Sequence, residues 1–292
     1  MSPLPLELID IEYWRDSAAR LGSLTDQPWF VLLDSCRSGG ADGRFDIATW
    51  SPATVILTVG ETSSIHGVGA ISDTHADPFD LLKPFLHAES QHPLLPFTGG
   101  AVGMFGYDLG RRVELLPRQA QRDIDFPDMA VGIYQRGLVV DHHTERAWYF
   151  HRGLDAEQVA ADVQRLTVPR TLTPAAVGPG FMVNSVVEPD ISYAQYAHAF
   201  ERIKRYIADG DCYQVNYAQR FSATAGGDPW DAYRRLRMRN SAPYAAFMRL
   251  PQGAVLSSSP ERFIEIRGDA VETKPIKGTA ARHSDPERDH QA

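Results

Sequence analysis

The chain has 292 residues, of which 43% are hydrophobic and 23% charged, enough for one large or two ordinary domains with a real core. A net charge of −8 argues against nucleic acid as the main partner, since phosphate binding needs a basic face. No stretch approaches the ~20 apolar residues of a membrane span, the first ten residues lack the pattern of a signal peptide, and two distant cysteines, Cys36 and Cys212, form neither a metal spacing nor a disulfide framework, which fits a cytoplasmic protein.

Residues 29–34 and 53–59 read as buried strands. Asp77-Pro78 opens a short amphipathic helix, with Asp77 as N-cap and Pro78 at the first position. The glycine string Gly99–Gly106 lacks the Lys-Ser/Thr of a phosphate loop and reads as a strand with bulges and close backbone packing. Residues 132–141 and 146–151 read as strands joined by a turn at His142–Glu145, and 155–166 as a modest helix. Residues 167–180 hold three prolines and two glycines without periodicity. That composition predicts an N-terminal domain over 1–166, a linker over 167–184 and a second domain over 185–292.

The second part opens on the clearest helix, with Ser192 and Gln195 as a capping box and Gly210 as its stop. Residues 212–221 alternate, with Tyr213, Val215, Tyr217 and Phe221 on one face and Gln214, Asn216 and Arg220 on the other. Asp228-Pro229 starts another helix, and 243–250 and 253–259 read as strands. A hairpin follows: 262–267 out, Gly268-Asp269 as the turn, 270–276 back. Counting outward from that turn puts Glu261 opposite Ile276, next to Lys277. Residues 281–292 are polar and read as the start of an exposed helix, and the strands of the second part have no evident partners. Sheets with helices between them make the class α+β.

Lys277 and Glu261 could carry chemistry. A buried lysine can lose its proton near neutral pH and attack carbon, and a carboxylic acid with a raised pKa can protonate a departing hydroxyl. The same pair could equally be a surface salt bridge at a hairpin end. The ten histidines show no metal spacing, and no metal ligands are assigned.

Longer strings decide between these readings. Asp211–Phe221, Leu256–Phe263 (with Ser-Pro-Glu-Arg-Phe) and Pro275-Ile-Lys-Gly-Thr279 resemble the chorismate-utilising enzymes, and within them the aminodeoxychorismate synthase component I family. Phe97–Arg112 and Asp128–Tyr134 resemble that family's N-terminal region. The resemblance implies an anthranilate synthase-like α+β fold. It implies that Lys277 attacks C2 of chorismate as the C4 hydroxyl leaves, that Glu261 donates the proton, and that ammonia then attacks C4 and expels the lysine. Gly278, Thr279 and Gln214 would line the substrate site. Anthranilate synthases carry alanine where Lys277 stands, and the isochorismate and salicylate synthases use a water-activating lysine where Gln214 stands.

The resemblance also implies a tryptophan pocket built from Ser35, Asp42, Gly43, Arg44, Phe45, Pro243, Tyr244 and Ala245. An arginine beside aromatics suits an indole amino acid. Family members need Mg2+ for chorismate's carboxylates, held by glutamates in C-terminal motifs that this sequence lacks, so the C-terminal part of the family's catalytic domain is expected to be missing. The expected partners are chorismate, a glutamine amidotransferase subunit supplying ammonia, and L-tryptophan. The alternatives are an anthranilate synthase component I, or a truncated, non-catalytic remnant that binds tryptophan or a partner.

Overall fold

The apolar runs read from the sequence become the strands of two antiparallel sheets. The structure, a computed structural model, describes residues 4–36, 43–86, 92–119, 122–167, 180–276, 285 and 287–288. The strands in the first part are β1 (Leu6–Ile11), β2 (Val31–Asp34), β3 (Phe45–Thr49), β4 (Thr54–Val59), β5 (Thr62–Gly67), β6 (Ile71–Thr74), β7 (Gly100–Phe105), β8 (Met129–Tyr134), β9 (Arg136–Asp141) and β10 (Arg146–Arg152). Then come β11 (Met182–Val183), β12 (Glu188–Pro189), β13 (Phe221–Ser222), β14 (Ala225–Gly226), β15 (Tyr244–Leu250), β16 (Gly253–Ser259), β17 (Glu265–Arg267) and β18 (Ala270–Glu272). The helices are α1 (Ser17–Arg20), α2 (Pro78–Leu82), α3 (Ala156–Thr167), α4 (Tyr193–Asp209) and α5 (Pro229–Arg239). No helix among the described residues is long and apolar enough to cross a membrane.

The chain forms two compact units, Met1–Thr171 with Tyr233–Ala292, and Leu172–Ala232. These boundaries differ from the composition shift at 167–184, of which residues 168–179 lie outside the described residues. The first unit holds a seven-stranded sheet of order β1-β10-β9-β3-β2-β15-β16 and a five-stranded sheet of order β6-β5-β4-β8-β7. The expectation that strands 243–250 and 253–259 lack partners is therefore corrected. β15 pairs with β2, Phe247 facing Leu32, and β16 pairs with β15. The pairing joins residues about two hundred positions apart, which local pattern cannot reveal.

The expected single strand over 132–141 is two strands broken at Gln135, β8 in one sheet and β9 in the other. Between the sheets pack Val31, Tyr134, Met248 and Leu250, with Leu57 and Val102 against them. Gly103 is forced by the β7–β8 contact: a Cβ there would lie 2.2 Å from the Ala130 carbonyl oxygen. The glycine string thus serves close strand packing, as expected, but without the expected bulges, since β7 pairs with β8 in unbroken register from Gly100–Tyr134 to Phe105–Met129. On the outer side of the five-stranded sheet, α2 begins as expected. The Asp77 carboxylate accepts from the Phe79 and Asp80 N–H groups at 2.8 and 3.2 Å, and Leu82 packs on Ile56 and Met129. Helix α3 contributes the buried Asp162, which accepts from Tyr149 Oη at 2.9 Å, Arg136 Nη1 at 3.0 Å and Trp50 Nε1 at 3.3 Å.

In the second unit, α4 has both halves of its capping box and ends at Gly210 with φ 84°. The alternating segment 212–221 departs from expectation. Only Phe221–Ser222 is ladder-paired, to β12, and residues 214–220 carry no regular structure. Alternation supplies a strand's faces, but a strand exists only where a neighbour takes its backbone hydrogen bonds. The polar segment 281–292 lies largely outside the described residues.

Candidate functional site

Sheet topology gathers the first candidate site. Register pairs Leu33 with Ile47 on one side and with Ala246 on the other. Carried two residues further, that antiparallel register brings Ser35 beside Phe45 and beside Tyr244. Ser35, Arg44, Phe45, Pro243, Tyr244 and Ala245 accordingly line one cleft of about 990 Å3 within the first unit. Gly43 is buried nearby in sequence but does not line the cleft, and Asp42 lies outside the described residues.

The cleft wall rests on buried charge that sequence reading missed. Asp46 Oδ1 accepts from the Ser35 N–H at 2.9 Å and from Ser35 Oγ at 2.8 Å, while Oδ2 meets His142 Nε2 at 2.8 Å. Burial pushes the Asp46 carboxyl up, but the hydrogen bond and charge of His142, with Ser17 and the Ser35 N–H, outweigh it and hold it below the ordinary value. Tyr13 Oη lies 3.0 Å from His142 Nδ1 and completes the chain.

Asp34 is buried one residue away. It accepts from Tyr233 Oη at 2.9 Å, Arg237 Nε at 2.6 Å, Arg237 Nη2 at 3.1 Å and the Cys36 N–H at 2.7 Å. Burial pulls the Arg237 guanidinium down, but the Asp34 hydrogen bonds and charge overcome this and raise it. Arg44 differs from expectation in its partner. Its Nε and Nη2 bind the Asp141 carboxylate, at 3.1 and 2.8 Å, and its guanidinium lies 4.5 Å from the Phe45 ring centre. A free carboxylate in the cleft would meet a guanidinium already committed on two of its nitrogens. Asp34 and Asp46 carried a readable signal: each is an acid at an inward position of an apolar strand.

The hairpin that carries the second candidate site follows the predicted register. Glu265 faces Glu272, Ile266 faces Val271 and Arg267 faces Ala270 across a turn with Gly268 at φ 58°. It is shorter than expected. The two facing glutamates are bridged by Arg262, whose guanidinium pairs with both. Arg262, Ile264 and Ile266 form the other wall of the cleft. Beyond the ladder, Thr273 Oγ1 donates to the Phe263 carbonyl at 2.8 Å. Glu261 is exposed, its backbone tied to the Ser259 hydroxyl at 3.0 Å. Lys277, Gly278 and Thr279 lie outside the described residues. Gln214, in the second unit, is exposed and donates from Nε2 to Asn216 Oδ1 at 3.2 Å. Among the described residues no group of three or more His, Cys, Asp or Glu side chains could hold a metal ion. The described residues therefore fit no magnesium centre.

With the sheets, cleft and hairpin in view, comparison with known proteins defines the class. The chain belongs to the chorismate binding enzymes, a family that matches residues 31–292. Within that family it is 44% identical to aminodeoxychorismate synthase component 1 of Klebsiella aerogenes, over 94% of this chain and 61% of that protein. It is 38% identical to the protein of the same name in Escherichia coli (strain K12), over 99% of this chain and 62% of that protein. Anthranilate synthase component 1 of Acetivibrio thermocellus is 29% identical, over 88% and 56%. The crystal structure of anthranilate synthase component I from Streptococcus pneumoniae TIGR4 matches with a TM-score of 0.67 at 26% identity, covering 80% of this chain and 54% of that one. The fold is thus the expected anthranilate synthase-like α+β fold, and the chain spans about three fifths of the length of these curated relatives.

Proposed function

We propose that this chain carries the amination chemistry of an aminodeoxychorismate synthase component I. The observation that carries the reading is the combination of 38–44% identity to proteins of that name with a lysine in Pro275-Ile-Lys-Gly-Thr279. The Lys277 amine, once deprotonated, forms a bond to C2 of chorismate. The ring's double-bond electrons shift, the C4–O bond breaks, and Glu261 supplies the proton that lets the hydroxyl leave as water. Ammonia then bonds to C4, the electrons shift back and the C2–N bond to Lys277 breaks, giving 4-amino-4-deoxychorismate. A glutamine amidotransferase subunit supplies the ammonia.

The test uses this chain joined to the part of the Klebsiella aerogenes relative that the match leaves out. Intact-mass spectrometry with chorismate and no ammonia should show an adduct on Lys277, and Lys277→Ala should lose it. An unmodified Lys277 under trapping conditions, with the alanine variant at full rate, would sink the proposal.

In the same reading the cleft between Phe45, Tyr244 and Ile266 holds L-tryptophan. Aromatic and aliphatic walls suit the indole, and Arg44 with the Ser35 hydroxyl suits the polar end. Calorimetry should detect binding to the wild type and weaker binding to Arg44→Ala; a folded protein that binds no tryptophan would count against it.

A further inference from the structure

Behind the cleft wall runs a chain of hydrogen-bonded side chains whose polarity is fixed by their chemistry. His142, Asp46 and Ser35 are 8%, 2% and 2% exposed, and Tyr13 is half-buried. The Asp46 carboxyl is held below its ordinary value, so near neutral pH it is ionised and only accepts hydrogen bonds. The group on each side of it must therefore donate. His142 donates from Nε2 to Oδ2 at 2.8 Å. Ser35 donates to Oδ1 from Oγ at 2.8 Å and from its N–H at 2.9 Å. A neutral imidazole with its proton on Nε2 accepts at Nδ1, and there the Tyr13 hydroxyl donates across 3.0 Å. Each proton thus points along the chain toward Asp46.

The consequence falls on the cleft. Ser35 lines it, and the hydroxyl proton of Ser35 is turned away toward Asp46. On the cleft side Ser35 Oγ acts as an acceptor, which suits an ammonium group and not a carboxylate. His142 is not a lining residue, yet its Nε2–H helps to keep Asp46 ionised. Without that donor, burial dominates and the carboxyl takes up a proton more readily. A protonated Asp46 has a proton of its own to give to Ser35 Oγ. The Ser35 proton is then released toward the cleft, and the polarity at that point reverses.

We propose that His142 is a positioning residue of the cleft: acting through Asp46, it keeps the Ser35 hydroxyl an acceptor and so makes the cleft select its ligand by an amino group. This rests on the reading that the cleft takes L-tryptophan, and adds which end of that ligand meets Ser35.

The test is calorimetry on the full 292-residue chain with L-tryptophan and with indole-3-propionate, which keeps the indole and the carboxylate but lacks the amine. In His142→Phe, tryptophan affinity should fall about tenfold or more, while that of indole-3-propionate stays within about twofold. His142→Gln restores an N–H donor and should recover most of the tryptophan affinity. Ser35→Ala, which leaves the rest of the chain of hydrogen bonds in place, should lose the same selectivity, and adding His142→Phe to it should change little more. A ligand-free readout runs beside these: carbon-13 NMR of the Asp46 carboxyl, whose titration should move to higher pH in His142→Phe and return in His142→Gln. Equal losses for both compounds in His142→Phe, full tryptophan affinity in that variant, or a wild-type chain that binds both compounds equally would overturn the proposal. A wild-type chain that binds neither would remove the tryptophan reading, and the Asp46 titration then decides alone: unmoved in His142→Phe, it overturns the positioning role; raised, it upholds that role.

Discussion

Replacing Asp34 with alanine tests whether the buried charge beneath the cleft holds the first unit together. The Asp34 side chain is fully buried and the Arg237 side chain only 12% exposed, with Nε 2.6 Å from the carboxylate. Asp34→Ala removes the acceptor for two Arg237 nitrogens, the Tyr233 hydroxyl and the Cys36 N–H. Arg237 still meets Asp16, at 2.9 Å on the exposed side. Breaking a buried pair from one side costs about 3–5 kcal/mol, because an uncompensated charge stays behind. At about 2–4 °C per kcal/mol for a unit of this size, the melting temperature should fall by about 6–20 °C. Circular dichroism melts and urea titrations measure both quantities. The double variant Asp34→Ala/Arg237→Ala should cost less than the two single changes added together, by about 1–3 kcal/mol. A single change costing under about 1 kcal/mol, or strict additivity, would refute the reasoning.

Further expectations follow from the same contacts. Asp46 and Asp141 both have carboxyls held below their ordinary value of 3.8, so each binds protons less readily folded than unfolded. Their stabilisation is fully present above that value and is lost as pH falls through the lowered folded values; acid titration of stability should show this, and Asp141→Asn should flatten it. Gly103→Ala should destabilise by about 1–3 kcal/mol or more, since its Cβ meets backbone rather than a movable side chain; an unchanged urea midpoint would remove the packing explanation of the glycine string. In the extended protein, Glu261→Gln should lower turnover far more than it weakens chorismate binding, and equal losses would point to a merely structural role.

Much of the fold was legible because its signals are local. Asp77-Pro78 and Ser192–Gln195 each specify a helix start, and Gly268-Asp269 fixes the register of the hairpin that leads to Lys277. Pairing across the chain was not legible. Nothing near Phe247 says that its neighbour is Leu32, so the last strands looked partnerless. The strand reading of 212–221 failed for the converse reason, since its pattern is right but only its last two residues find a partner. At the cleft, the family resemblance, with the residue types it singles out, pointed to Ser35, Arg44, Phe45 and Tyr244, and sheet register brings them together. What the types could not show was that Arg44 is committed to Asp141, or that Ser35 is held by Asp46 and, through it, by His142. Those contacts link residues 11 to 97 positions apart and depend on which strand faces are buried.

The central claim is that this chain's lysine directs ammonia to C4 of chorismate. The most direct measurement is product identity from the chain joined to the remaining part of the Klebsiella aerogenes relative, given chorismate, ammonia and magnesium and resolved by liquid chromatography with mass spectrometry. The account predicts 4-amino-4-deoxychorismate as the main product, lost in Lys277→Ala. Anthranilate as the main product of the unaltered chain, or undiminished 4-amino-4-deoxychorismate from Lys277→Ala, would contradict it.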